Sequence, residues 1–136
     1  MQVARLQKKT MMKHEEAKLQ TAFVRWFRMQ YPKYRKLLFS SLNGVVLKGT
    51  PEQRARAWNR LKEEGAVTGV ADLFLSVPSG DLAGLYIEMK TPRGKQSAAQ
   101  KEFEADVLEA GYGYAMPREF EEAVNIVQNY LKYGQY

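Results

Sequence analysis

The chain has 136 residues, 45% of them apolar and 26% charged, which fits one soluble domain with a real core and excludes wholesale disorder. It has no cysteine and a single histidine, His14; this excludes a disulfide framework, thiolate zinc and iron–sulfur sites, a cysteine nucleophile and His-rich metal sites. The net charge of +6 is divided unevenly: residues 1–60 carry 14 basic and 3 acidic side chains (+11), residues 61–136 carry 7 and 12 (−5). A one-sided positive field draws polyanions, nucleic acid first and anionic membrane second. No apolar run approaches the ~20 residues of a spanning helix. The basic start, residues 1–13, has no apolar stretch of signal-peptide length behind it. The expected location is therefore intracellular, in the cytoplasm.

In chain order, residues 1–13 form a basic N-terminal segment and 14–136 a single domain. His14 to Gln30 has Leu19, Ala22, Phe23, Trp26 and Phe27 at helical spacing, with Pro32 as a stop. Leu37 to Leu42 has strand character and ends at the turn dipeptide Asn43-Gly44. Thr50-Pro51 opens a helix to about Glu64, capped by Gly65. Val70 to Val77 and Leu85 to Thr91 read as an antiparallel hairpin. Ser97 to Ala110 is a helix with a capping box from Ser97 and Gln100, closed by Gly111. Tyr112 to Met116 is a short strand. Arg118 to Tyr133 is a last helix, with Phe120, Val124, Val127 and Leu131 as its apolar stripe. The order predicts an α/β fold, a small mixed sheet flanked by helices.

The hairpin carries the chemistry. Alternation along Leu85-Tyr-Ile-Glu88-Met-Lys90 puts Leu85, Ile87 and Met89 on one face and Tyr86, Glu88 and Lys90 on the other. Asp72 is the one acid in an otherwise apolar strand, a costly placement unless a partner or metal compensates it. Pairing the strands brings Asp72 near Glu88 and Lys90. Two carboxylates and a lysine suit a hard cation with open positions for water and phosphate. By itself the pattern is short, and a surface ion pair between Glu88 and Lys90 also explains it.

Asp72, then Glu88-Met89-Lys90 sixteen residues on, resembles the PD-(D/E)xK nuclease signature, with Ala71 where that signature has proline. The wider frame is similar to the VRR-NUC (virus-type replication–repair nuclease) branch. Its matching segments are Glu16 and Gln20, Asn43-Gly44, Gly65 to Asp72, Gly84 to Lys90, Gly94 to Gln100, Gly111-Tyr112 and Asn129 to Leu131, over about residues 14 to 132. The resemblance implies a restriction-endonuclease-like core. It also implies Asp72, Glu88 and the Met89 carbonyl as metal ligands, Lys90 as catalytic lysine, Gln100 pointing into the site, and Glu16 as the first-helix acid near a second metal position. Gln100 as a mere capping partner of Ser97, and Glu15 in place of Glu16, stay open. Stand-alone phage or bacterial members resemble Holliday-junction resolvases that act as homodimers.

The expectation is a Mg²⁺- or Mn²⁺-dependent endonuclease for branched DNA, four-way junctions above all. It would work as a homodimer, with no membrane partner and no organic cofactor. Tyr31, Tyr34 and Tyr133 are candidate interface aromatics, although plain surface or core aromatics explain each of them. Lys48, Arg54, Arg56, Arg60, Arg93 and Lys95 are the expected phosphate contacts. A flap, duplex or single-strand nuclease of the same fold, an RNA nuclease, or a binding module without catalysis remain the alternatives.

Overall fold

The computed structural model describes residues 1–41 and 47–136. The turn expected at Asn43-Gly44, and the strand's last residue Leu42, lie outside the described residues. In chain order the elements are α1 (Gln2–Gln30), a 3-10 turn (Pro32–Tyr34), β1 (Leu38–Ser40), α2 (Pro51–Glu63), β2 (Leu73–Leu75), β3 (Leu85–Ile87), α3 (Ala98–Glu109), β4 (Gly113–Ala115) and α4 (Phe120–Tyr133). The predicted element types all occur in their predicted order, and the strands are shorter than their apolar runs. Among the described residues no helix is long and apolar enough to cross a membrane.

The four strands form one mixed sheet in the order β1-β2-β3-β4. The first three are antiparallel neighbours, and β4 runs parallel to β3. A parallel neighbour requires a crossover, which α3 supplies. Strand alternation then separates two cores. Leu38, Leu73, Leu75, Leu85, Ile87 and Met89 bury one sheet face against Phe23 and Phe27 of α1 and Ala123, Val127 and Tyr130 of α4. On the other face Ala71, Tyr86, Tyr112 and Tyr114 meet Phe103 and Val107 of α3.

Two helices depart from expectation. Helix α1 begins at Gln2, twelve residues before the predicted start. Residues 2–13 lack the apolar periodicity that marks a packed helix, yet they contain no glycine or proline and are rich in Gln, Lys, Leu, Met and Arg, which favour helix. In α4 the buried stripe is Ala123, Val127 and Tyr130, while Phe120 is 39% exposed. The small Ala123 lets the helix backbone approach the sheet, and the Tyr130 hydroxyl donates to the Val77 carbonyl (2.6 Å), so a polar tip is satisfied inside the core.

Candidate active site

The β2–β3 register pairs Leu73 with Ile87 and Leu75 with Leu85. Extended by one step it sets Asp72 opposite Glu88, just beyond the ends of both strands. The ladder with β4 also continues past β3, since the Glu88 and Lys90 amides donate to the Ala115 (2.8 Å) and Pro117 (3.1 Å) carbonyls. Glu88 and Lys90 are therefore held on a rigid backbone although they follow the strand. Asp72 is fixed by its own bond: Oδ2 accepts from the Met89 amide at 2.8 Å.

Both Glu88 and Lys90 are buried, and Lys90 Nζ stands 3.9 Å from Glu88 Oε1. The same oxygen accepts from Gln100 Nε2 at 2.9 Å. Glu88 Oε2 is buried without a hydrogen-bond partner among the described residues. Burial, and secondarily the Asp72 carboxylate, push the Glu88 carboxyl up to about 8 against the opposing pull of Lys90. Asp72 is raised as well, mainly by burial, with the Met89 amide opposing. The two carboxyls lie within hydrogen-bonding reach of each other, so they must share a proton or a cation.

Gln100 fills both roles left open by the sequence. Its Oε1 accepts from the Ser97 amide (2.9 Å), Ser97 Oγ accepts from the Gln100 amide (3.2 Å), and its Nε2 reaches Glu88. The bonding partners fix the amide orientation, because the carboxylate can only accept. Gly69 makes this approach possible: at φ +89° a side chain is disfavoured, and a Cβ there would lie 2.5 Å from the Ala99 carbonyl. That contact sets the start of α3 directly against the segment leading into Asp72.

Glu16 lies at the rim. Its carboxyl accepts from the Thr91 amide, and burial raises its pKa against the pull of Lys90 and Lys13. A Cβ on Gly94 would touch Thr91 Oγ1, Lys90 Cδ and Glu16 Oε1 at 3.2 to 3.4 Å, which shows how closely these groups meet. Glu15 is exposed. No three His, Asp or Glu side chains among the described residues stand close enough to enclose one ion. A cation here would take two side-chain carboxylates, from Asp72 and Glu88, and complete its shell with backbone, water or substrate oxygen. The orphaned Glu88 oxygen and the hard donor set fit Mg²⁺ or Mn²⁺.

Sequence reasoning missed Arg118. Its Nη1 donates to the carbonyls of Thr91 (2.7 Å), Gly94 (2.7 Å) and Pro92 (3.3 Å), clamping the turn that follows Lys90. All its partners are backbone oxygens, which leave no residue signature. Also missed was the chain from Gln96 Nε2 to Glu104 Oε2 (2.7 Å) and the Tyr114 hydroxyl (3.3 Å). Burial raises that hydroxyl's pKa, with the Glu88 and Glu104 charges adding to it.

Of the expected phosphate contacts, Arg93 and Lys95 are exposed on the clamped turn beside the centre. Lys48, Arg54, Arg56 and Arg60 are exposed on α2 and its approach. The arginines do not form one face: residues two apart on a helix point about 200° apart. Arg56 and Arg60 share a side, while Arg54 folds back toward the Gly49 carbonyl (3.4 Å). Tyr31, Tyr34 and Tyr133 border one shallow groove.

No family model matches the chain, and no curated protein matches it. Among solved structures, one described as a "VRR_NUC domain protein" superposes with a TM-score of 0.70 at 22% sequence identity, covering 86% of this chain and 88% of that one. The mixed sheet and its flanking helices thus have the fold of a VRR-NUC domain, which is the fold the sequence resembles.

Proposed function

We propose that the chain is a metal-dependent endonuclease that hydrolyses phosphodiester bonds in branched DNA, with the four-way junction as its preferred substrate. The observation that carries this reading is the convergence of Asp72, Glu88 and Lys90 at the ends of two paired strands, with one buried Glu88 oxygen that receives no donor among the described residues. Such a cluster costs folding energy, and a cation plus a phosphate is what would offset it.

Asp72 and Glu88 would hold Mg²⁺ or Mn²⁺, with the Met89 carbonyl as a backbone ligand. When bound, the ion supplies positive charge to the phosphoryl oxygen and lowers the pKa of attacking water. Lys90 Nζ, fixed beside Glu88, orients the attacking water and donates to the oxygen that gains charge. Gln100 keeps Glu88 turned into the site. Glu16, beside Lys90 and tied to Thr91, adds an acceptor where water or a second ion could bind. Severing two strands of a junction symmetrically calls for two centres related by a two-fold axis, so we read the active form as a homodimer.

The test incubates purified protein with labelled four-way junction, flap, linear duplex, single-strand and RNA substrates in Mg²⁺, Mn²⁺ or EDTA. Paired, metal-dependent nicks in the junction support the reading. Equal cutting of the duplex keeps the nuclease and removes the structure preference. Binding without cutting under every metal leaves a binding module and discards the enzyme.

A further inference from the structure

Between residues 16 and 27 the inward face of α1 runs Phe27, Phe23, Gln20, Glu16: two buried rings, a half-buried amide, then the acid at the rim of the centre. Steps of three and four residues keep to one side of a helix. Continued toward the N-terminus by the same steps, this face reads Lys13, Lys9, Arg5. Residues 1–10 are all exposed, and so is Lys13. Toward the N-terminus from Glu16 this face carries the exposed Lys13, Lys9 and Arg5 beside the half-buried Met12, so it turns from apolar through polar to mostly basic. No acid precedes Glu15, so Arg5, Lys8, Lys9 and Lys13 have no compensating carboxylate on the arm. Lys13 lies three residues before Glu16 on the same side of α1, so the stripe begins beside the centre.

We propose that the α1 arm is a phosphate-binding surface: Lys13, Lys9 and Arg5 hold the backbone of the nucleic-acid strand as it leaves the centre. At about 1.5 Å per residue, Arg5 lies about 16 Å beyond Glu16 along the helix. That distance matches roughly four to five nucleotides at about 3.4 Å each. The inference rests on the nuclease reading, because it assigns the arm to the strand that reading places in the centre. Nucleic acid is the partner the geometry favours, since a polyanion threaded through the centre must continue along this face. A flat membrane laid on the same face would cover the centre.

The test compares two triple variants of equal charge. One is Arg5→Gln, Lys9→Gln, Lys13→Gln on the face. The other is Lys18→Gln, Lys33→Gln, Lys36→Gln, all exposed and off it. Circular dichroism establishes that both fold. Affinity for labelled junction is measured against salt without catalytic metal, and KM and kcat with it. The face variant should bind about tenfold or more weakly, with a log–log salt slope shallower by about 2–3, one near-unit step per lost contact. Its loss of activity should fall on KM. The off-face variant should change the slope by less than about one.

Equal weakening by the two variants, or wild-type binding by the face variant, overturns the proposal. So does face-dependent binding to anionic vesicles without face-dependent binding to DNA. The two readings fail separately. A wild-type protein that binds DNA through the face but never cuts sinks the nuclease and leaves the arm. One that cuts normally after the face is neutralised does the reverse.

Discussion

From Ile87 to Lys90 the two sides of the chain are almost equally buried and do opposite work. Leu85, Ile87 and Met89 are 0%, 1% and 0% exposed, while Glu88 and Lys90 are 2% and 8%. The first set removes apolar surface from water and stabilises the fold by about 1.5–3 kcal/mol per side chain. The second strips water from charged groups that compensate each other incompletely, as the raised Glu88 and Asp72 pKa values and the orphaned Glu88 oxygen show. Alternation thus fastens a destabilising cluster to the end of a central strand paired on both sides, and the core holds it in place.

The largest expected effects fall on this contrast. Asp72→Ala, Glu88→Ala and Lys90→Ala should each lower cleavage by about 10³-fold or more while the protein stays folded. Ile87→Ala, one position away, should lower unfolding free energy by about 2–5 kcal/mol, with activity lost only as the fold is lost. Cleavage rates beside urea melts separate the two kinds of damage. A site variant that unfolds, or an Ile87 variant that is stable but inactive, would break the comparison.

Gln100→Ala comes next, with a loss of about 10–100-fold in metal affinity or activity, because the carboxylate it orients is released. The same change removes half of a capping box, so melting should show a cost of about 1 kcal/mol. Arg118→Ala should lower activity by roughly tenfold through a looser turn after Lys90, and Arg118→Lys should recover part of it by donating to the same carbonyls. Full activity in Arg118→Ala would show that the turn needs no clamp. Smallest is Phe120→Ala, within about 0.5 kcal/mol of wild type, because Phe120 is the first residue of α4 and 39% exposed. A larger cost would restore the stripe read from the sequence.

The hairpin is legible because alternation, turn residues and an isolated acid leave marks in the sequence, and pairing the strands brings Asp72 near Glu88 and Lys90 on those grounds; the register itself comes from the structure. Gln100 was legible as a cap, and its second bond follows from the cap's position. Arg118 was not, since it acts on carbonyls that every residue carries. On α4 the expected Val127 is buried and Leu131 packs against the core, while Phe120, on the same side but at the first residue, is 39% exposed, and the small Ala123 takes the buried place in the first turn. The helical arm leaves no such mark: periodicity reports packing, and residues 2–13 are exposed except for the half-buried Met12.

If a cation at Asp72 and Glu88 offsets the cost of burying Glu88, stability depends on both pH and metal. The direct measurement is thermal melting of wild type and Glu88→Gln from pH 4.5 to 8.5, in EDTA and in Mn²⁺. Burial and the Asp72 carboxylate raise the Glu88 carboxyl to about 8 from its ordinary 4.5, so the folded protein keeps a proton on the Asp72–Glu88 pair that the unfolded chain releases. Between those values the unfolded state binds fewer protons, so stability must fall as pH rises. The account predicts that in EDTA the wild-type melting temperature declines across this interval and Glu88→Gln declines less and melts higher. It also predicts that Mn²⁺ raises the wild type alone. A flat wild-type profile in EDTA, or a Glu88→Gln variant that melts lower and responds equally to Mn²⁺, would contradict it.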